Sequence, residues 1–92
     1  MTFTLDPDAR LDFGVDWSAF LEAAGEDTIS THAWVDVSTD LTVEDEQLIG
    51  GAVHVAFFSG GSTGEVHTAT SEITTNGGRT ARTTLVFTIR KE

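Results

Sequence analysis

The fold is decided by the stretch EVHTATSEITTNGGRTARTTLVFTIR, which runs from Glu65 to Arg90. Its two halves alternate with the period of two that is typical of strands buried on one face. Between the halves, Asn76-Gly77-Gly78 tolerates the positive φ angles that tight hairpin turns demand. The stretch therefore predicts a β-hairpin.

The alternation also assigns the two faces of this hairpin. The predicted inner face carries His67, Ala69, Ser71 and Ile73 from the first half, and Leu85, Phe87 and Ile89 from the second. The outer face carries Thr68, Thr70, Glu72 and Thr74, followed by Thr84, Val86, Thr88 and Arg90. A hairpin cannot bury its apolar face by itself, so the rest of the chain is expected to supply a second layer.

Further strands are expected upstream, where short apolar or β-branched runs alternate with turn signals. They are short extended pieces on either side of Asp6-Pro7-Asp8, then Thr28 to Val37, Leu41 to Val43, Glu44 to Ile49 and Ala52 to Phe58. This spacing predicts an all-β fold, an immunoglobulin-like antiparallel β-sandwich of about seven strands. It forms a single domain over residues 1–92, with residues 1–21 as an arm or edge segment.

Two stretches leave alternatives open. Asp16 could cap a two-turn helix that ends at Gly25, but the alternation of Trp17, Ala19 and Leu21 supports an extended segment, which we prefer because so short a helix needs tertiary support. In the strand from Thr28 to Val37 the core face is not assigned. If Trp34 points inward, that strand must be bulged or buried on both sides.

The composition limits the classes of function. The 92 residues carry 15 acidic against 5 basic side chains, a formal net charge of -10, which disfavours nucleic acid and anionic membranes as partners. The absence of cysteine excludes a disulfide framework and thiolate zinc sites and suits a reducing cytoplasm. The opening residues lack a basic, apolar leader, so we expect a soluble protein without a secretion signal.

No catalytic, cofactor or metal motif is expected to operate. The three histidines, His32, His54 and His67, lie on three different strands without the spacing of a zinc site, and they are interpreted as ordinary sheet histidines. Asp6, Asp8, Asp12 and Asp16 lack the calcium-loop pattern and are interpreted as turn formers. The glycine-rich segment from Ser59 to Gly64 lacks the lysine and the following helix of a phosphate cradle.

The opening segment LDPDARLDFGVDWS, residues 5–18, resembles the start of small structural proteins of tailed phages and prophages called fibre-tail adaptors. Further landmarks of this resemblance are Phe20-Leu21, Gly25 to Ile29, Trp34, Ser59-Gly60-Gly61, Gly64-Glu65 and Thr74-Thr75 followed by Gly78-Arg79-Thr80. The resemblance implies a virion component with an immunoglobulin-like sandwich and no enzymatic activity. The chain departs from the family pattern in its histidines, especially His67, where an aromatic residue is usual, and in its stronger acidity.

We therefore expect a non-enzymatic structural protein of a tailed virus, made in the host cytoplasm and located in the virion. Its expected partners are other virion proteins in a multi-copy or homo-oligomeric assembly, without nucleic acid, membrane, cofactor or metal. The segment from Asp6 to Leu21 is the expected contact, through Phe13, Trp17 and Phe20. The alternatives are a head decoration or neck protein, and a carbohydrate-binding module that stacks sugars on Trp34 or Phe58.

Overall fold

The computed structural model describes residues 1–91 of the chain. Its elements are β1 (Thr2–Leu5), β2 (Arg10–Asp16), α1 (Ser18–Ala23), β3 (Ile29–Val35), β4 (Leu41–Ile49), β5 (Val53–Gly60), β6 (Val66–Thr75) and β7 (Thr80–Ile89). The strands form two sheets, so the prediction of an all-β sandwich of about seven strands is confirmed. No helix within residues 1–91 has both the length and the apolar character needed to cross a membrane.

The sheet order is β1-β7-β6-β3 in one sheet and β2-β5-β4 in the other. The neighbours β2-β5-β4 and β3-β6-β7 repeat the pairing of the B-E-D and C-F-G strands of immunoglobulin sandwiches. All pairs are antiparallel except β1 and β7, which run parallel with Phe3 opposite Phe87. This parallel pair departs from the antiparallel expectation, and the turn at Pro7 then carries the chain from the edge of the first sheet into the second.

The predicted hairpin is formed by β6 and β7, with a continuous register from Val66 opposite Thr88 to Thr74 opposite Thr80. Its inner face is the centre of the core, where Ile73, Leu85 and Phe87 have no exposed surface. The outer face carries the threonines assigned to it from the alternation. The hairpin therefore confirms the sequence prediction for both faces.

The hairpin turn is held from outside by Asp27, which lies between α1 and β3. One carboxylate oxygen accepts a hydrogen bond from the Gly77 backbone N–H at 3.0 Å, and the other accepts one from Arg79 Nη1 at 2.9 Å. A Cβ at Gly77 would lie 2.6 Å from the second oxygen, so a larger residue here would require the Asp27 side chain to shift. Hydrogen bonds from the Thr75 hydroxyl, Thr28, Arg79 and Gly77 lower the pKa of Asp27 to about 2.

The preferred extended conformation from Asp16 to Leu21 is wrong, because Ser18 to Ala23 form a helix. Asp16 Oδ1 accepts hydrogen bonds from the Ser18 backbone N–H at 2.9 Å and from its hydroxyl at 2.6 Å, which starts the helical turn. The Leu21 N–H then donates to the Trp17 carbonyl at 3.0 Å, so both side chains reach the core from the same face. The tertiary support that so short a helix needs comes from this shared burial.

Strand β3 contains a β-bulge, which allows both Ile29 and Trp34 to face the core although strict alternation would place them on opposite faces. The register shifts between Ile29 and Thr31, after which His32 and Trp34 pair with inward-facing residues of β6. Ile29 lies before the bulge and still packs against the core. Of the two alternatives for an inward Trp34, a bulged strand or a strand buried on both sides, the structure shows the bulge.

Candidate functional site

Trp17 lies in the interior rather than on a contact surface. Its side chain is 5% exposed, and its Nε1–H donates to Ser71 Oγ on β6 at 3.1 Å. Trp17 follows β2 of the three-stranded sheet, whereas Ser71 belongs to the four-stranded sheet. The tryptophan therefore joins the two sheets.

Phe20 and Phe13 lie at the margin of the core in two separate places. Phe20 packs edge-on against Trp17 with ring centroids 5.6 Å apart. Phe13 packs instead with Phe3 at 4.8 Å and with Phe87 at 5.1 Å. Both phenylalanines are half-buried, and the three predicted contact residues do not form one surface. Their contact with a partner stays a prediction.

The aromatics of the carbohydrate-binding alternative face the core. Phe58 has no exposed surface, and Trp34 stacks on the His54 ring at 4.7 Å while its edge meets Phe58 at 5.0 Å. The buried Trp34 Nε1 has no hydrogen-bond partner within the described chain. Phe58 therefore offers no face on which a sugar could stack, and one face of Trp34 is covered by His54.

The outer surface of the four-stranded sheet is built almost entirely from uncharged residues, and we call it the threonine face. Register and alternation place on it Thr2, Thr4, Thr31, Ala33, Val35, Val66, Thr68, Thr70, Glu72, Thr74, Thr80, Arg82, Thr84, Val86 and Thr88. Val66 is 60% exposed, and the hydroxyls of Thr70 and Thr84 are hydrogen-bonded at 2.9 Å across β6 and β7. β-Branched residues such as threonine and valine are typical of such a pleated surface.

The only acidic residue that these four strands place on the threonine face is Glu72. Arg82 lies opposite it on β7 and donates from Nε to the Glu72 carboxylate at 2.6 Å. The pair cancels, so the strands of this face carry no net charge. Among the described residues, the acidic excess of the chain therefore lies elsewhere.

The outer surface of the three-stranded sheet has a different chemistry. An apolar strip along β5, formed by Val53, Val55 and Phe57, lies between acidic residues of the neighbouring strands. Arg10 covers Phe57, with its guanidinium carbon 4.2 Å from the ring centroid. The same guanidinium pairs with Glu44 and with Asp45. This surface is charged at its margins and carries an excess of acid.

His54 of β5 lies in a buried chain of hydrogen bonds between the sheets. Its Nε2 lies 2.9 Å from Glu46 Oε1 and its Nδ1 lies 2.7 Å from Ser71 Oγ. Because the carboxylate can only accept, Nε2 carries the proton, and Nδ1 accepts from the Ser71 hydroxyl. Burial lowers the pKa of His54, which keeps the ring neutral.

His32 reaches the same carboxylate from the other sheet. Its Nδ1–H donates to Glu46 Oε1, and its ring centroid lies 5.0 Å from that of His54. Burial raises the pKa of Glu46, but the hydrogen bonds from His32 and His54 outweigh this effect and leave it below its usual value. Sequence reasoning separated the two histidines and missed Glu46.

The reason for this miss is a β-bulge in β4. The register of β4 on β5 shifts between Glu44 and Gln47, and Asp45 adopts a φ of +52°. This irregularity breaks the alternation, so the direction of the Glu46 side chain did not follow from its place in the strand. The run Glu44-Asp45-Glu46 gave only a signal of surface acidity.

His67 lies apart from the other two histidines. It faces the core as predicted, is 8% exposed, and places Nε2 3.0 Å from Glu65 Oε1. The hydrogen bonds from His67 and from the Ser62 N–H lower the pKa of Glu65. The glycine-rich segment from Ser59 to Gly64, which lacks the features of a phosphate-binding loop, packs closely against β7. A Cβ at Gly61 would lie 2.9 Å from Ile89 Cγ1.

The order Ser71, His54, Glu46 has the connectivity of a hydrolase relay, but its geometry serves structure. Ser71 has no exposed surface, and its oxygen already accepts a hydrogen bond from Trp17. A nucleophile must be reached by its substrate, and this hydroxyl is enclosed between the sheets. The chain of hydrogen bonds satisfies buried polar groups and holds the sheets together.

A shallow depression of about 530 Å³ lies where β1 turns into β2, lined by Thr4, Asp6, Asp8, Ala9 and Leu11. Asp6 Oδ1 accepts from the Asp8 backbone N–H at 2.8 Å. Asp6 thus closes the local turn, as the sequence predicted for it.

The fold defines an all-β sandwich whose two sheets are joined by buried hydrogen bonds, and the fold alone does not assign a function. The family model described as Podophage GP4 fiber-tail adaptor protein gp77 matches residues 5–88, and the chain belongs to this family. No curated protein matches the chain. The resemblance to the fibre-tail adaptors is confirmed, and it indicates a phage tail fibre adaptor, a structural protein of the virion.

Proposed function

We propose that this protein acts without enzymatic activity, as an adaptor that contacts other virion proteins through its threonine face. The observation that carries the proposal is the absence of net charge on that face in a chain of formal charge -10. Family membership supports the structural role and the location in the virion. Synthesis in the host cytoplasm suits a chain without cysteine.

Charge explains why this face is favoured over the rest of the surface. Burying an unpaired carboxylate in an interface is costly, so an acidic protein docks most easily where acids are absent or paired. Among the strand residues of the threonine face the only such group is Glu72, which already pairs with Arg82. Asp36 follows β3 at the margin of the face, and its carboxylate lies 3.8 Å from the same guanidinium. Threonine and valine side chains can be covered by a partner without leaving an ion unpaired.

The size of the face favours several copies over one strong contact. The four strands contain 4, 10, 10 and 7 residues in sheet order. With a rise of about 3.4 Å per residue and a strand spacing of about 4.8 Å, the projected area is about 500 Å². A stable interface typically buries about 800 Å² per partner, so we propose a multi-copy assembly in which weak contacts add.

Proteins are the partners that the electrostatics supports. A net charge of -10 repels phosphate backbones and anionic headgroups, whereas the neutral face is compatible with an uncharged protein surface. The partner is therefore a neighbouring tail or fibre protein, or a neighbouring copy of this chain.

The test is incorporation of variant chains into virus particles. Val66→Glu introduces a charge on the threonine face at a position 60% exposed, and Ile49→Glu introduces the same charge on the other sheet at a position 53% exposed. Both variants should remain folded by circular dichroism. We expect incorporation of Val66→Glu, measured against the capsid protein in purified particles, to fall by at least about tenfold, because one buried unpaired charge exceeds 1.4 kcal/mol.

The matched variant defines the contrary result. Ile49→Glu should be incorporated like the native chain, and the native chain should be found in particles. Equal incorporation of the two variants would reject the threonine face as the contact, and absence of the native chain from particles would reject the virion role itself.

A further inference from the structure

His32, Glu46 and His54 meet at the edge where the two sheets of the sandwich come together, and we call them the His-Glu-His cluster. They come from β3 of one sheet and from β4 and β5 of the other. One ligand atom from each residue lies within 4.8 Å of the other two. Three groups that sequence reasoning left separate are thus brought together by the bulges in β3 and β4.

We propose that the His-Glu-His cluster binds one divalent transition-metal cation, with Zn²⁺ as the preferred ion, and that the cation clips the two sheets together. Two imidazole nitrogens and one carboxylate oxygen are a donor set that suits Zn²⁺. Mg²⁺ and Ca²⁺ prefer oxygen ligands only, so this donor set disfavours them. The inference goes beyond the adaptor function and does not depend on it.

The spacing of the donor atoms fits a shared cation after a small movement. Bonds of about 2.0–2.1 Å at tetrahedral angles place two ligand atoms about 3.3 Å apart. His54 Nε2 and Glu46 Oε1 are 2.9 Å apart, already near that value. Glu46 is the ligand that can move, because its side chain is 34% exposed and leaves the strand at a bulge.

The three groups of the cluster differ in burial. The His54 side chain is fully enclosed, whereas those of His32 and Glu46 are 30% and 34% exposed. The cation would therefore enter from solvent and keep water as a fourth ligand. Three protein ligands and one water are a common arrangement for zinc.

The neighbours of His54 hold its ring in the orientation that a ligand needs. Ser71 Oγ lies 2.7 Å from Nδ1, which leaves Nε2 as the nitrogen that faces the cluster. Trp34 stacks on the ring at 4.7 Å with an interplanar angle of 19°. To bind the cation through Nε2, His54 must adopt the other neutral tautomer, in which Nδ1 carries the proton and donates to Ser71 Oγ, as metal-binding histidines usually donate from their second nitrogen.

A second group, Asp40, Glu65 and His67, also lies within ligand distance and serves as the internal rival. It contains only one imidazole, and Glu65 Oε1 already accepts from the Ser62 N–H at 2.7 Å. Nitrogen ligands favour Zn²⁺ and Co²⁺ over hard cations. The second group should therefore bind Zn²⁺ and Co²⁺ more weakly than the His-Glu-His cluster does.

The experiment uses the full chain without an affinity tag and Co²⁺ as the spectroscopic probe. We expect one equivalent of Co²⁺ to give the visible absorption of a tetrahedral site, and Zn²⁺ to displace it. Saturating Zn²⁺ should raise the Tm by at least about 5 °C, because a ligand that binds only the folded state stabilises it.

Three variants identify the site. His32→Ala and Glu46→Gln should each weaken Co²⁺ binding by at least about tenfold, as expected for loss of a ligand or of its charge. Glu44→Gln, on the same strand but outside the cluster, should bind like the native chain. His67→Gln should also bind normally if the rival group is not the site.

Two results would overturn the inference. The first is a native chain that neither gives the tetrahedral Co²⁺ spectrum nor gains Tm in millimolar Zn²⁺. The second is binding that survives His32→Ala and Glu46→Gln unchanged, including binding that only His67→Gln removes. Neither result bears on particle incorporation, so the adaptor proposal would stand or fall separately.

Discussion

The two sheets of the sandwich differ in the charge that their strands carry. The four-stranded sheet has a single acidic and a single basic residue, Glu72 and Arg82, and they pair with each other. The three-stranded sheet has one arginine, Arg10, against Asp12, Asp16, Glu44, Asp45 and Glu46. The strong negative charge therefore comes from the three-stranded sheet and from the loops. The neutral side is the one on which a partner can be seated without burying acids.

The largest effect is expected where the two sheets are joined. Trp17→Ala removes a buried aromatic side chain and the donor to Ser71, so unfolding should become easier by about 3–5 kcal/mol. Phe20→Ala, which removes the half-buried neighbour, should cost less than half of that. Urea unfolding measures both. A Trp17→Ala chain with native stability would show that this side chain is not part of the core.

A smaller loss of stability is expected from alanine substitutions at two glycines, Gly14 in the three-stranded sheet and Gly77 in the hairpin turn of the four-stranded sheet. A Cβ at Gly14 on β2 would lie 2.7 Å from the His54 carbonyl oxygen and 2.4 Å from Val55 Cγ1, so Gly14→Ala should destabilise by about 1–3 kcal/mol. At Gly77 the atoms in the way belong to the side chains of Asp27 and Arg79, which can move aside. Gly77→Ala should therefore cost less than Gly14→Ala, about 1 kcal/mol, which is the typical net contribution of one hydrogen bond such as that from the Gly77 N–H to Asp27.

These glycine variants are compared by chemical denaturation under identical conditions. Equal losses of stability at the two positions would contradict the close backbone approach of β2 and β5. Loss at Gly77 alone would mean that the turn, not the pairing of β2 with β5, is the tighter constraint.

Acid should act on the hairpin turn through Asp27. Its pKa is lowered from 3.8 to about 2 in the folded protein, so the ionised form stabilises the fold above about pH 4. This contribution should be lost as the pH falls from about 4 to about 2. Asp27→Asn should be less stable at neutral pH and should lose less further stability over that acid range. Thermal unfolding at a series of pH values measures the difference between the two chains.

Asp16 provides the control for this acid effect, because hydrogen bonds from the Ser18 hydroxyl and N–H also lower its pKa. Asp16→Asn should keep the acid sensitivity that Asp27 confers. Parallel pH profiles for the native chain and Asp27→Asn would contradict the assignment of this sensitivity to the turn.

The smallest effect on stability is expected at the exposed apolar positions of the two outer faces. Val66→Glu and Ile49→Glu should each change the free energy of unfolding by less than about 1 kcal/mol, because both side chains are largely exposed. Denaturation of the isolated chains tests this. A large loss in either variant would mean that its incorporation into particles reports folding rather than contact.

The sequence predicted those parts of the fold that depend on local alternation. The inner and outer faces of β6 and β7 followed from period two, and alternation also offered a bulge in β3 as one of two ways to turn Trp34 inward. The helix after Asp16 was the alternative that we did not prefer, because its stability depends on tertiary packing that buries Trp17 and Leu21 together. The parallel place of β1 beside β7 is likewise set by distant packing.

The His-Glu-His cluster was beyond sequence reasoning for a related reason. His32 and His54 belong to different sheets, and their approach depends on how the sheets are stacked. Glu46 reaches them because the bulge at Asp45 changes the direction of its side chain. Alternation alone treats such a residue as part of a solvated acidic run.

The most direct test of the adaptor account is the accessibility of the threonine face in intact particles. The native chain has no cysteine, so Val66→Cys and Ile49→Cys each provide a single thiol, one on each sheet, at positions of similar exposure. Maleimide labelling of the isolated chains should proceed at similar rates. In intact particles we predict that the thiol at position 66 is protected while the thiol at position 49 still reacts. Equal labelling of both positions in particles would contradict the claim that the neutral sheet is the contact surface.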